Sequence, residues 1–390
     1  MNNSMKINLN RILIYLSWVP AVGYAFGIDI IVHVGIYLTF LVIALLTVKY
    51  RLLSRLQNIR RYIWLIVFVG LILLLLFYKL SLGQYELTRN TLYVIVLAMM
   101  INIQRDIGEV DLNLIVKSSL LVSLLFFILT VFYHGSRFDP LATELYLGYQ
   151  NPNILANVLL IMTIFDLIGF YYRRKYVYLF GVLVCIYMIY RTDARTVLLA
   201  VVFLIISLRF EKIFKKRKVR ELFNCFVMLT PILVIIFADF LERLFARTSG
   251  LTGRLEIWEG AINGLIASSQ SFLVGKFKNV FPTILHIETL VIETEVTNAN
   301  NIYLQMAWTV GVPLTVVFFY TLYKKLKYSS LKMSTKIGYI AYMGFFTTML
   351  NSTMETHFVD GIIGMSVFTI LLLNIMEYSE IHEYNFIKNA

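Results

Sequence analysis

The chain has 390 residues, of which 59% are hydrophobic and 15% charged, with a formal net charge of +12 and a mean hydropathy of +0.75. These values exclude a soluble globular domain of this length and indicate a polytopic membrane protein. The excess of Lys and Arg does not indicate a nucleic-acid partner, because it is concentrated in short segments between apolar stretches.

Twelve stretches approach the roughly 20 apolar residues that a membrane-spanning helix requires. They predict an all-α polytopic fold with about 12 transmembrane helices, built as a single integral membrane domain over residues 1–390. The predicted spans are 11–27, 30–48, 62–80, 89–103, 113–133, 152–170, 175–190, 194–209, 221–239, 302–322, 337–353 and 358–376.

The distribution of basic residues predicts the orientation of these spans. With both termini in the cytoplasm, 24 of the 35 Lys and Arg residues fall in inside segments and 10 in outside segments. Inside loops of membrane proteins carry such an excess. The same orientation makes residues 240–301 a large extracytoplasmic loop. The basic runs at 49–61 and 210–220 are then contacts to membrane lipids.

The first four spans contain no cluster of polar residues and are interpreted as scaffold. Lys117 and Asp166 lie inside the fifth and sixth spans, where charges are expected to be functional or paired. A Lys–Asp pair between adjacent helices, or a Lys that reaches the interface, explains them better than a proton relay.

Polar residues precede the sixth span on the outer face. In GYQNPNILA, Asn151 suits a helix cap and Pro152 the first turn. A helix N-terminus there, with Asn151 and Asn153, could also receive an anion. An ordinary cap explains most of the pattern. Arg137, in the same outer segment, is either a loop charge or a substrate contact.

Two arginines occupy the tight turn between spans 7 and 8, in YRTDARTVLLA. Arg191 and Arg195 depart from the positive-inside trend, and an arginine near hydrocarbon is costly. Either arginine could pair with Asp193 or with lipid headgroups. A function in binding is favoured over such pairing for Arg195, and the two alternatives are equal for Arg191.

The large outer loop contains a segment with helical spacing of apolar residues, GRLEIWEGAINGLIAS. Arg254 precedes Trp258 by four residues, so both lie on one face of the predicted amphipathic helix. Arg254 therefore places its charge on the buried apolar face of this helix, or its side chain extends to the interface between membrane and water. Asn300 and Asn301 follow at the entrance to span 10.

Four segments together resemble the bacterial O-antigen polymerase and ligase family, the Wzy-type enzymes of surface polysaccharide assembly. The resemblance covers about residues 145–325. GYQNPNILA resembles the family's G-x-x-x-N-x-N-x-x-A stretch, and TDARTVLLA its S/T-x-x-R segment. TGRLEIW resembles S/T-G-R-x-x-x-W, and NANNIYLQMAWTVGVP resembles H-N-x-x-L-x-x-x-x-x-x-G.

The resemblance implies a GT-C-like, metal-independent, inverting glycosyltransferase in the bacterial cytoplasmic membrane, with its active site on the outer face and no cofactor. Its donor would be an oligosaccharide on undecaprenyl diphosphate, and its further partners a chain-length regulator and a flippase. The residues assigned to catalysis are Arg195, Arg254, Glu355 and Asn300. Those assigned to substrate binding are Arg191, Arg137, Asn151, Asn153, Trp258 and Asn301.

One departure favours a polymerase over a ligase. The family's ligases carry a His where this chain has Asn300, and a neutral amide cannot accept the proton of a hydroxyl. The general base is left open, with a slight preference for Glu355 among the candidates Glu355, His357, Glu288, Glu293 and Glu295. A ligase and a polysaccharide flippase remain the alternative functions.

Overall fold

A computed structural model describes residues 9–47, scattered positions between 70 and 101, and residues 109–132, 144–149, 151–237, 254–276, 281–287, 290–296, 299–353 and 363–377. The helices are α1 Leu9–Ala25, α2 Asp29–Thr47, α3 Glu109–Phe132, α4 Pro152–Arg173, α5 Tyr176–Arg191, α6 Arg195–Ser207, α7 Arg217–Ile236, α8 Arg254–Ile266, α9 Ser269–Val274, α10 Ile302–Val310, α11 Val312–Leu331, α12 Lys336–Asn351 and α13 Ile363–Ile375. A two-stranded antiparallel hairpin joins β1, Phe281–Ile287, to β2, Leu290–Val296.

The chain is a predominantly helical membrane protein. Among the described residues, four helical stretches are long and apolar enough to cross a membrane: Asp29–Leu46, Asp111–Phe132, Pro152–Arg173 and Arg217–Ile236. Helices also cover the other predicted spans, except for the third and fourth, 62–80 and 89–103, which lie outside the described residues apart from single positions. The total of twelve spans therefore stays a prediction.

The tenth predicted span, 302–322, is two helices rather than one. Gly311 separates α10 from α11 with a φ of +85°, which L-residues rarely adopt. A Cβ at this position would collide with the backbone of Leu273 at the end of α9. Pro313 then occupies the first turn of α11, where its missing N–H costs nothing. Sequence hydropathy runs through this break because both helices are apolar.

The hairpin is the second difference from the all-α prediction. It lies in the loop after α9, with Phe281 opposite Val296 and Ile287 opposite Leu290. TILHIETLVIETEV contains enough β-branched residues to favour strands. The sequence analysis considered only the charges of its glutamates, as candidates for a general base, and predicted no strand here.

Helices α4 and α12 form the centre of the bundle and are buried along most of their length. They run antiparallel. Asn351, at the last residue of α12, donates to the Oδ1 of Asn157 in the second turn of α4. Seven residues further into each helix, Gly344 lies against Ile164, where the absence of a side chain allows close approach. This pair of helices therefore sets the position, along the bundle axis, of the helices packed against it.

The pair between Lys117 and Asp166, one of the two alternatives drawn from the sequence, is not present among the described residues. Asp166 is buried and accepts a hydrogen bond of 2.9 Å from Ser123 of α3. Lys117 precedes Ser123 by six residues, which places it about 240° around the helix axis, and its side chain is exposed. A Cβ at Gly181 would meet the Asp166 carboxylate, so this glycine gives the carboxylate its space.

One end of the bundle is held by ion pairs. Glu377 follows α13 and bonds Lys325 at 3.1 Å and Lys332 at 3.2 Å, while Glu211 bonds Lys336 at 2.6 Å. Burial acts to raise the pKa of Glu377, but the two lysines and a hydrogen bond from Ser329 outweigh it and lower that pKa. This end carries the basic segments that the positive-inside rule places in the cytoplasm.

The predicted orientation can be tested with two cysteine variants in a Cys225→Ser background, since Cys225 is exposed. Ser269 lies in the large loop and Ser334 beside the ion-paired end, and both are exposed. We expect a membrane-impermeant maleimide to label Ser269→Cys on intact cells, and Ser334→Cys only after permeabilisation. Labelling of Ser334→Cys on intact cells would show that the predicted orientation is wrong.

Candidate functional site

The turn between α5 and α6 presents two arginines at the surface. Thr192 shapes it by donating to the carbonyl of Ile189 at 2.7 Å and by accepting from the N–H of Ala194 at 3.4 Å. Asp193 adopts a φ of +50°. This tight geometry places Arg195 at the first residue of α6, where no side chain caps the free N–H groups.

Arg195 is paired only loosely. Its Nε lies 3.6 Å from the Asp193 carboxylate, and the side chains are 67% and 62% exposed. This contact is the pairing with Asp193 that the sequence offered as an alternative to substrate binding. Such exposed pairs contribute only about 0–1 kcal/mol. The pair therefore leaves Arg195 able to turn toward an anion. Arg191 donates to the Tyr187 hydroxyl at 3.2 Å, one turn earlier on α5.

The N-terminus of α4 is attached to the same turn. The N–H of Leu145 donates to the carbonyl of Arg191 at 2.8 Å. Asn151 caps α4 by accepting from the N–H of Asn153 at 2.8 Å. The cap proposed from the sequence is thus observed, and a further contact of Asn151 or Asn153 to substrate stays a prediction.

Arg254 begins α8, and this helix is fixed by Trp258. The indole of Trp258 is buried and donates to the carbonyl of Ala299 at 2.8 Å. Arg254 lies one turn earlier on the same face and is half-buried. The predicted sharing of a face by Arg254, Trp258 and Leu265 is confirmed. Trp258 therefore connects the start of α8 directly to the segment that holds Asn300.

Glu256 lies two residues after Arg254 in α8 and is not among the site residues predicted from the sequence. The residue is half-buried, and its Oε2 has no hydrogen-bond partner in the described part of the chain. A buried carboxylate oxygen without a donor is costly. Glu256 thus joins Arg254 at the first turn as a candidate site residue, and only the burial of its oxygen reveals it.

Asn300 and Asn301 differ sharply in what their side chains can do. Asn301 is fully buried; its Oδ1 accepts from the N–H groups of Tyr303 and Leu304, and its Nδ2 donates to the carbonyls of Pro231 and Thr353. An amide has two donors and two acceptor positions, so all are used. These hydrogen bonds give Asn301 a structural role, and its predicted role in substrate binding stays a prediction.

Asn300 is half-buried and adopts a φ of +49°, which Asn tolerates better than most residues. It lies between the Ala299 carbonyl that Trp258 binds and the Asn301 cap of α10. Its two neighbours are thus fixed by hydrogen bonds. Asn300 thus lies in a fixed segment, and its contact to substrate stays a prediction.

The end of α12 connects the two groups of residues. Asn351 bonds α4, and the carbonyl of Ser352 accepts from the N–H of Ile302 at 3.1 Å. At the other end of α12, Tyr339 donates to the carbonyl of Ser207 at 2.6 Å. Arg195 and Asn351 each lie twelve residues, or about 18 Å, from that contact along antiparallel helices. The start of α6 and the start of α10 are therefore on the same side of the bundle.

Three of the other proposed residues, Arg137, Glu355 and His357, lie outside the described residues, as does Glu288. Glu293 and Glu295 are in β2, for which only the backbone is described. Within the described part of the chain, no group of three or more His, Cys, Asp or Glu side chains is arranged to hold a metal ion.

Comparison with known protein families gives a match over residues 180–319 to the family model Wzy_C, described as O-antigen ligase. The matched region includes Arg191, Arg195, Arg254, Trp258 and Asn300, and it runs from α5 to the first part of α11. Comparison with curated proteins gives no match. This match supports the family predicted from the sequence motifs: residues 180–319 are similar to a domain of the O-antigen polymerase and ligase family.

Proposed function

We propose that the protein polymerises oligosaccharide repeat units carried on undecaprenyl diphosphate. A hydroxyl of the incoming lipid-linked unit attacks the anomeric carbon of the growing chain. The bond from that carbon to the diphosphate oxygen breaks, undecaprenyl diphosphate leaves with the electron pair, and the hydroxyl proton passes to a base. One displacement of this kind inverts the anomeric carbon.

The observation that carries this proposal is that Arg195 begins one helix and Asn300 precedes the cap of another on the same side of one bundle, with Arg254 attached through Trp258. A leaving diphosphate needs its developing negative charge stabilised. Arginine remains charged and can donate two parallel hydrogen bonds to phosphate oxygens. The exposed Arg195 and the half-buried Arg254 supply this chemistry without a metal ion.

Polymerase rather than ligase is proposed because of position 300. An amide there can orient the acceptor hydroxyl but cannot take its proton. Another group must do so, and Glu256 adds a candidate to those drawn from the sequence. The ligase reading has support of its own, because the matching family model is described as O-antigen ligase.

The test is an assay of the purified full-length protein with lipid-linked repeat units alone, in the presence of a chelator. A polymerase is expected to produce a ladder of longer lipid-linked glycans from this single substrate. Glu256→Gln in the same assay is expected to lose the ladder if Glu256 is the base.

Two outcomes would contradict the proposal. Product that appears only when a different acceptor is added would assign a ligase. A ladder that appears only after magnesium or manganese is restored would overturn the metal-independent mechanism.

A further inference from the structure

The seam between α3, α4 and α5 encloses a carboxyl group that the proposed glycosyltransferase site does not use. Asp166 of α4 is 0% exposed. Its Oδ1 is buried and has no hydrogen-bond partner in the described part of the chain. An ionised carboxylate at such depth needs a cation or several hydrogen-bond donors, because its loss of hydration is costly. The neighbours of Asp166 therefore determine which protonation state fits the seam.

No cation among the described residues forms an ion pair with Asp166. Lys117 of α3 is exposed, and Arg173 is the last residue of α4, seven residues or about 10 Å further along the helix. The titratable groups of α5 nearest to Asp166 are Cys185 and Tyr178. The other charged residues of the helices packed against α4 lie at helix ends and are Glu109 and Asp111 of α3, Arg191 of α5, Arg195 of α6 and Lys336 of α12.

Two serines of α3 lie beside the carboxyl group, and backbone carbonyls already accept their protons. The Ser123 hydroxyl donates to the carbonyl of Ser119, one turn earlier, at 2.9 Å. The Ser119 hydroxyl donates to the carbonyl of Met162 in α4 at 3.3 Å. Each hydroxyl has a single proton to donate. Neither serine therefore has a second proton for a carboxylate.

A proton on Asp166 accounts for every short contact of Ser123. Its Oγ lies 2.9 Å from the Asp166 Oδ2, and the Cys185 thiol donates to it at 3.4 Å. A carbonyl oxygen can only accept, so the contact to Ser119 takes the Ser123 proton. The contact with an ionised Asp166 would then bring two oxygens together without a hydrogen between them. A neutral Asp166 donates instead, and Ser123 uses its one donor and both acceptor positions.

The space around Oδ2 suits a proton better than a metal cation. A Cβ at Gly181 of α5 would come within 2.5 Å of this oxygen and within 2.9 Å of the Leu120 side chain. The backbone of α5 thus closes over the carboxyl group. Hard metal cations require about six or more oxygen ligands around them, whereas a proton requires no such room.

We propose that Asp166 is a neutral carboxyl group whose fixed proton, donated to Ser123, joins α3, α4 and α5. The bond from Asp166 links α4 to α3, and the bond from Cys185 links α5 to the same hydroxyl. Helix α4 begins at the Asn151 cap and α5 ends at Arg191. The proton therefore holds together two helices that lead to the proposed glycosyltransferase site, but the proposal does not depend on the chemistry of that site.

A neutral Asp166 makes stability depend on pH in a defined direction. An unfolded aspartate is ionised at neutral pH, so folding takes up one proton at this position. The folded state then binds more protons than the unfolded state, and stability falls as the pH rises. This group alone should raise the unfolding equilibrium constant by about tenfold per pH unit while the folded state keeps its proton. Asp166→Asn can donate to Ser123 in the same way and should lose this contribution.

The experiment records infrared spectra of the full-length protein in detergent at neutral pH. The carbonyl stretch of a protonated carboxyl group is separate from the bands of a carboxylate and shifts in heavy water. We expect this band in the parent and its loss in Asp166→Asn. The melting temperature of both proteins is then followed from neutral to alkaline pH, and the parent should lose more of it than the variant.

Two further variants make the result specific. Asp29→Asn is the matched control, because Asp29 is an exposed aspartate at the first residue of α2. It should keep the protonated band and the pH dependence of the parent. Ser123→Ala removes the acceptor of the Asp166 proton and should shift the band. This shift also tests the proposal if Asp166→Asn does not accumulate.

Four results would overturn the proposal. The absence of a spectral difference between the parent and Asp166→Asn would show that the carboxyl group is ionised. An equal fall of their melting temperatures with pH would show that folding takes up no proton there. A band unchanged by Ser123→Ala would remove the hydrogen bond to Ser123. Stabilisation by sodium chloride but not choline chloride, lost in Asp166→Asn, would assign a bound sodium ion instead of the proton.

Discussion

Replacing Arg195 or Arg254 with alanine is expected to lower polymer formation by roughly 30- to 1000-fold. Each arginine is proposed to hold the donor diphosphate as the glycosidic bond breaks. The loss of one charge-assisted contact of this kind costs about 2–4 kcal/mol in the transition state. At about 1.4 kcal/mol per factor of ten, that energy gives the expected range. The measurement is the polymer produced by each variant at matched membrane abundance.

Lysine should not restore full activity at either position. It keeps the positive charge but loses the planar, two-pronged donor geometry of arginine. The Asp193 contact of Arg195 is too exposed to make either variant unstable, so a fall in rate without a fall in abundance is expected at that position.

Arg217→Ala is the matched control for these variants. Arg217 also lies in an exposed salt bridge near a helix N-terminus, with side chains 73% and 36% exposed, but at the other end of the bundle. It should leave the rate of polymerisation unchanged. Normal polymer from both Arg195→Ala and Arg254→Ala would end the diphosphate proposal, and a loss of abundance alone would make the arginines structural.

Hydropathy predicted most of the helical architecture, because burial in lipid requires long apolar segments whatever the details of packing. Nine of the predicted spans each correspond to one helix in the described residues, and a tenth, 302–322, corresponds to two. Hydropathy did not predict the break at Gly311, since both sides of the break are apolar and only a backbone angle separates them. It did not predict the hairpin either, because the acidic residues there do not reveal cross-strand pairing.

The candidate site was predictable where chemistry and position agreed. Arg195 stood out because nothing structural requires an arginine at that turn, and Arg254 because it shares a face with Trp258. The structural role of Asn301 was not predictable, because hydrogen bonds to Pro231 and Thr353, 70 and 52 residues away, leave no sign in the sequence. Glu256 was missed for the related reason that the burial of one oxygen depends on tertiary packing.

Asn301→Ala is expected to lower stability by about 2–5 kcal/mol, which would show mainly as lost abundance. The substitution removes a helix cap worth about 0.5–2 kcal/mol. It also removes the hydrogen bonds to the carbonyls of Pro231 and Thr353, at about 0.5–1.5 kcal/mol each. These bonds join α7, α10 and the end of α12, so their loss should loosen the region around Asn300. Asn301→Ser, which keeps the cap but not the two donors, should be intermediate.

A substitution at the neighbouring Asn300 distinguishes a structural role from a role in catalysis. Asn300→Gly removes the amide but suits the φ of +49°, so it should keep its abundance while polymer formation falls. The two variants are compared by melting temperature in detergent and by polymer formed per molecule. Asn301→Ala with a normal melting temperature and no polymer would restore the substrate contact predicted from the sequence. The opposite result would assign Asn301 to the framework and leave Asn300 to meet the acceptor hydroxyl.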